Sequence, residues 1–400
     1  MRIKTVLIVS HMYPRINHPA GGIFVHEQAK ALRDAGVDAR VITGDPFWIN
    51  TLNPLRIISA LKHWWNLGNY EWDIQNGVPV INFPYIVSSR FLPFQVHALT
   101  YKIAAMRCME KMQRKFSFQV IHAHTSFMDG TAGAALSKKY NVPFVLTEHT
   151  GPFRTLTRTS YLKNRTQRAI NSAGCVIAVS QSLLKDIHEQ VLVTVPEKAK
   201  ILPNVVDVGR FAMVPQRTGK RGTRVLWVGH FVPIKRVDLL IRAFKKVAEV
   251  DPGIMLSLVG HGELETKLRS LVNELSLDER VEFLGNAARD ELPKHYQNSD
   301  FLVISSESET FGVVAIEAMS CGIPVLCTDC GGPSEMISDQ RLGLVVGMGL
   351  DDLAEGLLKM SRRQGTFDRI YIRNHAVENF SAPVIAEKMI DIYDDLTAKQ

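Results

Sequence analysis

No stretch of the 400-residue chain stays apolar for the roughly 18 positions that a membrane-spanning helix needs. The N-terminus opens basic and turns apolar, but the apolar stretch stops at Ser10 and His11 and no small-residue cleavage site follows. A buried first strand is expected there rather than a signal peptide. Cysteine is scarce and odd in number, at Cys108, Cys175, Cys321, Cys327 and Cys330, which argues against a disulfide framework. The Cys327–Cys330 spacing lacks the second ligand pair of a metal site, so a structural role in a reducing, cytoplasmic compartment is expected. Asp-x-Asp is missing altogether, the short device by which many transferases hold a diphosphate through a divalent ion. Without a metal or other cofactor, leaving-group charge has to be met by cations and oriented dipoles.

What is present describes a packed enzyme: 46% hydrophobic and 22% charged residues, with Gly and Pro near average. The length suits two domains. Charge divides unevenly, since residues 1–200 hold 24 Lys and Arg against 12 Asp and Glu, and residues 201–400 hold 23 against 28. A basic half can draw a protein to anionic lipid, an anionic polymer or nucleic acid, or it can be a solvated face. No nucleic-acid-binding module is recognisable.

Short apolar runs at 6–9, 39–43, 120–123, 144–147 and 175–179 alternate with helical or polar stretches. Runs of this kind, rather than strict alternation, predict strands buried on both faces of a parallel sheet. Residues 45–100 break the rhythm with Phe47, Trp48, Trp64, Trp65, Tyr70, Trp72, Phe83, Tyr85, Phe91 and Phe94. They read as an aromatic insertion facing a ligand or a membrane. The Pro-, Gly- and Lys/Arg-rich segment 215–223 reads as a linker. Strands at 225–228, 255–259, 281–284, 301–304 and 324–327 then restart the pattern. The expected architecture is α/β, with two doubly wound, Rossmann-like parallel sheets facing across a cleft: domain 1–214, linker 215–223, domain 224–379, and a C-terminal segment 380–400.

Chemistry concentrates in the second half. Glu309 and Glu317 stand seven residues apart, the first in the loop after strand 301–304 and the second about two turns into a helix beginning near Phe311. The free backbone N–H groups of Phe311, Gly312 and Val313 would suit phosphate, and carboxylates suit paired hydroxyls. Gly229 to Lys235 follow strand 225–228, so a turn there would bring Lys235 to the same mouth. In the first half, Gly21-Gly22 precede a helix, and His122 and His124 share one face of a strand end.

These residues resemble the retaining GT-B glycosyltransferases of family 4 over nearly the whole chain. The resemblance implies Glu309 toward the donor sugar hydroxyls, Glu317 toward the ribose and Lys235 toward the diphosphate. It implies His124 toward the transferring sugar, Gly22 in the N-terminal glycine-rich loop, and Gly260 and Gly262 in a turn near the nucleotide. His230 stands where the family has arginine, and Val205 where its Pro-Asn-Gly turn has glycine. Tyr13-Pro14 through Gln28-Ala29 looks like the cell-surface polysaccharide subgroup. That implies a UDP- or GDP-sugar donor and a glycan or lipid-linked acceptor, with the basic half at the inner face of a membrane. The alternatives from other classes are a nucleotide-sugar epimerase and a non-catalytic sugar-nucleotide-binding module.

Overall fold

The computed structural model describes residues 2–15, 21–68, 70–88, 94–191, 198–215 and 222–398. The chain forms two compact units, one of residues 1–179, 183–205 and 382–400, the other of residues 180–182 and 206–381. The changeover therefore falls at 205/206 and 381/382, ahead of segment 215–223, most of which lies outside the described residues. Among the described residues no helix is long and apolar enough to cross a membrane. All five cysteines are buried, and the Cys327 thiol is pushed up by its hydrogen bond to Cys330 and by burial.

The first unit is an eight-stranded sheet of β1 (Thr5–Val9), β2 (Asp38–Trp48), β3 (Asp73–Gln75), β4 (Val78–Val87), β5 (Val120–His124), β6 (Phe144–Glu148), β7 (Cys175–Ala178) and β8 (Ala199–Ile201). The spatial order is β3-β4-β2-β1-β5-β6-β7-β8, parallel throughout except that β3 runs antiparallel to β4. The 45–100 segment is therefore no insertion standing apart from the sheet. It lengthens β2 to Trp48 and adds the helix Pro54–Asn66, β3 and β4, the last paired with β2 from Val41↔Val80 to Trp48↔Val87. On one face of this sheet, Val25, Ala29 and Leu32 of the helix Ile23–Asp34 join Ile385, Met389 and Tyr393 of the closing helix Ala382–Thr397 in a single core.

The second unit is a six-stranded, all-parallel sheet of β9 (Arg224–His230), β10 (Met255–His261), β11 (Val281–Gly285), β12 (Phe301–Ile304), β13 (Val325–Thr328) and β14 (Gly343–Val346), ordered β11-β10-β9-β12-β13-β14. The helix Val237–Val250 buries Val237, Leu240, Ile241, Phe244 and Val247, an i, i+3, i+4, i+7 stripe that faces the sheet. Each such side chain stabilises the fold by about 2 kcal/mol.

Both sheets reverse winding beside their first strand, with β1 lying between β2 and β5 and β9 between β10 and β12. At such a switch point the loops leaving the strands' carboxyl ends diverge and leave room for a ligand. Those ends carry His11, His124, Lys235 and Glu309.

Two constraints on stability follow. Gly260 in β10 has φ +145°, and a Cβ there would lie 1.8 Å from the Gly229 carbonyl oxygen, whereas Gly365 (φ +79°) meets nothing within 4 Å. We expect Gly260→Ala to cost upwards of ~3 kcal/mol by urea unfolding and Gly365→Ala about 1 kcal/mol; equal costs would contradict this packing. In the first unit burial holds His122 and His149 down at about 3, and burial with its histidine neighbours holds His124 well below 6.5. Folding thus favours their neutral forms, so the stabilisation is complete above 6.5 and is lost as pH falls toward 3. His11 runs the other way: burial lowers it, but the charge and hydrogen bond of Asp129 outweigh that and raise it. Burial lowers His97 and His375 as well, so five groups stand against one and stability should fall between pH 6.5 and 5, each neutral histidine contributing up to about 1.4 kcal/mol per pH unit. A flat urea midpoint across that window would contradict these burial assignments.

Candidate functional site

The strongest cluster gathers three loops of the second unit. β9 continues through Gly229 and His230, so the expected flexible turn comes later, as a short helical turn Pro233–Lys235. Arg236 then takes a left-handed conformation, φ 49°, and caps the helix Val237–Val250. The loop after β12 is tied to that turn twice, since Glu307 N–H donates to the Ile234 carbonyl (2.8 Å) and the Ser305 hydroxyl to the Lys235 carbonyl (2.8 Å). It is tied as firmly to the loop after β13. Glu309 N–H donates to the Cys330 carbonyl (2.7 Å), and Gly332 N–H returns a bond to the Glu309 carbonyl (3.0 Å). Gly331 and Gly332 make this approach feasible: Cβ atoms there would lie 2.8 Å from the Glu309 carbonyl oxygen and 2.6 Å from Phe311 Cα.

Within this frame the Lys235 ammonium is joined directly to the Glu309 carboxylate, which also accepts from the Ser306 hydroxyl (2.9 Å). The sequence expectation aimed the two at different parts of a donor; the structure has them satisfying each other while both keep some solvent exposure. The helix after Glu309 starts two residues later than expected. Gly312, at φ 80°, is its N-cap and Val313–Ser320 its body, and no side chain caps its first N–H groups. Phe311 is buried against Phe380, at 6.2 Å between ring centroids. The N-cap glycine brings no side chain to the N–H groups of the helix start, and the first turn holds no acidic residue.

Glu317, 3% exposed, accepts from the Tyr296 hydroxyl (2.8 Å) and lies 3.4 Å from an Arg289 guanidinium nitrogen. Burial, followed by the Glu317 charge, keeps Tyr296 well above 10 and hence a neutral donor. Sequence reasoning missed Tyr296, Arg289 and Ser306. It also missed Glu335, whose carboxylate accepts from the backbone N–H groups of Gln181 (2.8 Å) and Ser182 (2.5 Å). A Gly-Gly-Pro-Ser-Glu run at a strand end was the available signal for Glu335. Gly260 and Gly262 have a packing reason that the motif reading did not foresee. Both admit the β9 chain, a Cβ on Gly262 lying 2.6 Å from the Phe231 carbonyl oxygen. His230 is exposed, its ring edge-on to His261 at 5.0 Å.

In the first unit Gly22 caps its helix at φ 67°, and a Cβ there would lie 2.2 Å from the Met12 backbone. His122 is structural: its ring bonds the Tyr393 hydroxyl of the closing helix and the Thr147 hydroxyl, each at 2.7 Å. His124 pairs through Nδ1 with His149 Nε2 (3.0 Å), while its own Nε2 is buried with no hydrogen-bond partner among the described residues. Thr125, next in chain, holds φ 87°, a strained value for a β-branched residue. Its hydroxyl donates to Asp129 (3.1 Å), which also binds His11 through backbone and ring (2.7 and 2.8 Å). Buried Glu148 accepts from the N–H groups of Ser126, His149 and Thr150 (2.8, 2.9 and 2.8 Å) and fixes the β5 and β6 ends together.

Comparison with known proteins agrees with this layout. Residues 21–210 match the Glycosyltransferase Family 4 profile and residues 213–375 the Glycosyl transferases group 1 profile. The chain is 30% identical over 325 residues to a D-inositol 3-phosphate glycosyltransferase of Mycobacteroides abscessus, spanning 76% of this chain and 71% of that one. It is 26% identical over 403 residues to the N-acetyl-alpha-D-glucosaminyl L-malate synthase of Bacillus anthracis, spanning 96% and 95%. Among solved structures it superposes on sucrose-phosphate synthase from Thermosynechococcus elongatus with a TM-score of 0.76, at 20% identity and over 99% and 100% of the two chains. Two parallel sheets with their switch-point loops, matched from end to end by these proteins, make the chain a member of the family 4 glycosyltransferases, with the GT-B fold.

Proposed function

We propose that this glycosyltransferase is retaining and metal-independent, and that it moves a sugar from a UDP- or GDP-sugar to a glycan or lipid-linked acceptor of cell-surface glycan synthesis. One observation carries the donor side: Lys235, Glu309 and an uncapped helix start are held together by the backbone bonds between the β9, β12 and β13 loops. On this reading the donor diphosphate lies against the N–H groups of Phe311, Gly312 and Val313, and Lys235 turns from Glu309 to it. Glu309, released, accepts from sugar hydroxyls. Glu317 holds the ribose hydroxyls, with Tyr296 and Arg289 fixing its orientation. In the first unit the unpartnered Nε2 of His124 is assigned to a substrate hydroxyl.

The anomeric carbon–oxygen bond breaks with oxocarbenium character, and the departing diphosphate carries charge that fixed donors stabilise without reorganising. The acceptor hydroxyl attacks from the face the leaving group vacates. Its proton passes to the departing phosphate oxygen, so no separate carboxylate base is required. We further propose that the net charge of +12 in residues 1–200 keeps the enzyme at the inner, anionic leaflet of a membrane. A second reading, a small anionic acceptor, is favoured by the names of the two relatives, which specify an inositol phosphate and a malate.

Lys235→Ala and Glu309→Ala should each lower turnover about 100-fold or more while the unfolding free energy stays within about 2 kcal/mol of the parent, because each removes one half-buried partner of a single ion pair. Near-parent turnover in both would remove the assignment. Tyr296→Phe should weaken donor binding by about fivefold with little effect on turnover at saturation, read as KM against kcat; an unchanged KM would leave Glu317 without a binding role.

A further inference from the structure

We infer that the first unit docks on an anionic phospholipid bilayer through one defined face, built by the helix Pro54–Asn66, the residues leading into it and one side of the helix Phe94–Met112. This deepens the reading of a lipid-linked acceptor at a membrane and rests on it.

The helix Pro54–Asn66 is held to the unit by few of its residues. Trp64 is buried, its indole N–H donating to the Pro84 carbonyl (2.8 Å), and Ile57 and Ala60 are half-buried. Its other apolar residues face outward, with Leu55 77%, Ile58 50% and Trp65 57% exposed, and Leu61 beside them. At 100° per residue these four fall within an arc of about 120°, a single stripe. Trp48 and Leu52 extend it at one end. At the other, Arg107 of the second helix stacks on the Trp65 ring (4.1 Å) and donates to its carbonyl, which brings Leu99 and Ile103 alongside. Among the described residues, eight of the fourteen large exposed apolar side chains belong to this face, so it is a patch and not ordinary scatter.

Charge selects the occupant. Residues 46–70 and 74–109 contain no Asp or Glu, while Lys62 lies among Ile58, Leu61 and Trp65, and Lys102, Arg107 and Lys111 lie beside Trp65 and Ile103. A stripe of Leu, Ile and Trp flanked by cations and free of acids suits the headgroup boundary of an anionic leaflet. There the indole rings sit at the interface and the cations meet phosphates. A two-fold contact with a second copy would set these cations largely against their own counterparts, with Glu110 the acid that lies among them.

The test is flotation of the full chain with vesicles of phosphatidylcholine alone and of phosphatidylcholine mixed with phosphatidylglycerol, at low and high salt. It compares the parent with Ile58→Glu/Trp65→Glu and with Lys62→Glu/Lys102→Glu. Melting temperature and transfer to a soluble acceptor analogue are read in parallel. The parent should bind the phosphatidylglycerol vesicles, more weakly at high salt. Both double variants should bind at least about tenfold less, with unchanged melting and unchanged transfer to the soluble analogue. Equal binding by parent and variants would overturn the inference, as would no binding by the parent at low salt. So would a parent dimer that the same substitutions dissolve. Transfer to the soluble analogue without vesicle binding would sink the docking face and leave the activity standing. Vesicle binding without transfer from any donor would do the reverse.

Discussion

The backbone bridge between Glu309 and Gly331 is the constraint on which the proposed donor site depends. Two loops leaving neighbouring parallel strands normally diverge; here Glu309 N–H and Gly332 N–H exchange bonds across them, and the two glycines remove the Cβ atoms that would hold them apart. Once closed, the pair sets where the Glu309 side chain emerges and where the next helix begins. The turn that carries Lys235 is then fixed by two further bonds from Ser305 and Glu307. A cation, a carboxylate and an uncapped helix start thus share one corner of the sheet and need little rearrangement to act together.

The first unit solves a different problem. Its sheet ends carry three buried, neutral histidines, and neutrality is what lets them stack: His122 and His124 lie 4.4 Å apart and His124 and His149 5.2 Å, distances at which imidazolium pairs would repel. Glu148 and Asp129 are each bound by several donors, and His11 pairs with Asp129. Tyr393 connects this row to the closing helix, whose start at Ala382 marks where the chain re-enters the first unit.

Much of this was legible in the sequence where burial on both faces enforced a continuous apolar run: β1, β5, β6, β7, β9, β10, β12 and β13 all read that way. β4 was not legible, because Pro79, Asn82 and Pro84 interrupt it and its pairing with β2 supplies the missing preference. The helix Pro54–Asn66 was hidden by its aromatics, although Asn53 as cap and Pro54 at the first position formed a readable start. The loop setting of Glu309 followed from its place after β12. Its pairing with Lys235, and that of Glu317 with Tyr296 and Arg289, joins residues 74, 21 and 28 apart in the chain, and no local pattern encodes such partners. Gly260 and Gly262 show a motif glycine with two readings, since close strand packing alone accounts for both.

The most direct test of a metal-independent donor site is a thermal-shift panel of UDP-, GDP- and ADP-sugars with excess EDTA. At a hundredfold excess over Kd a bound donor adds about 2.7 kcal/mol, which for units of this size raises Tm by roughly 5–10 °C. The account predicts such a rise from one nucleotide class, undiminished by EDTA. A rise that EDTA abolishes, or no rise from any of the three, would contradict it.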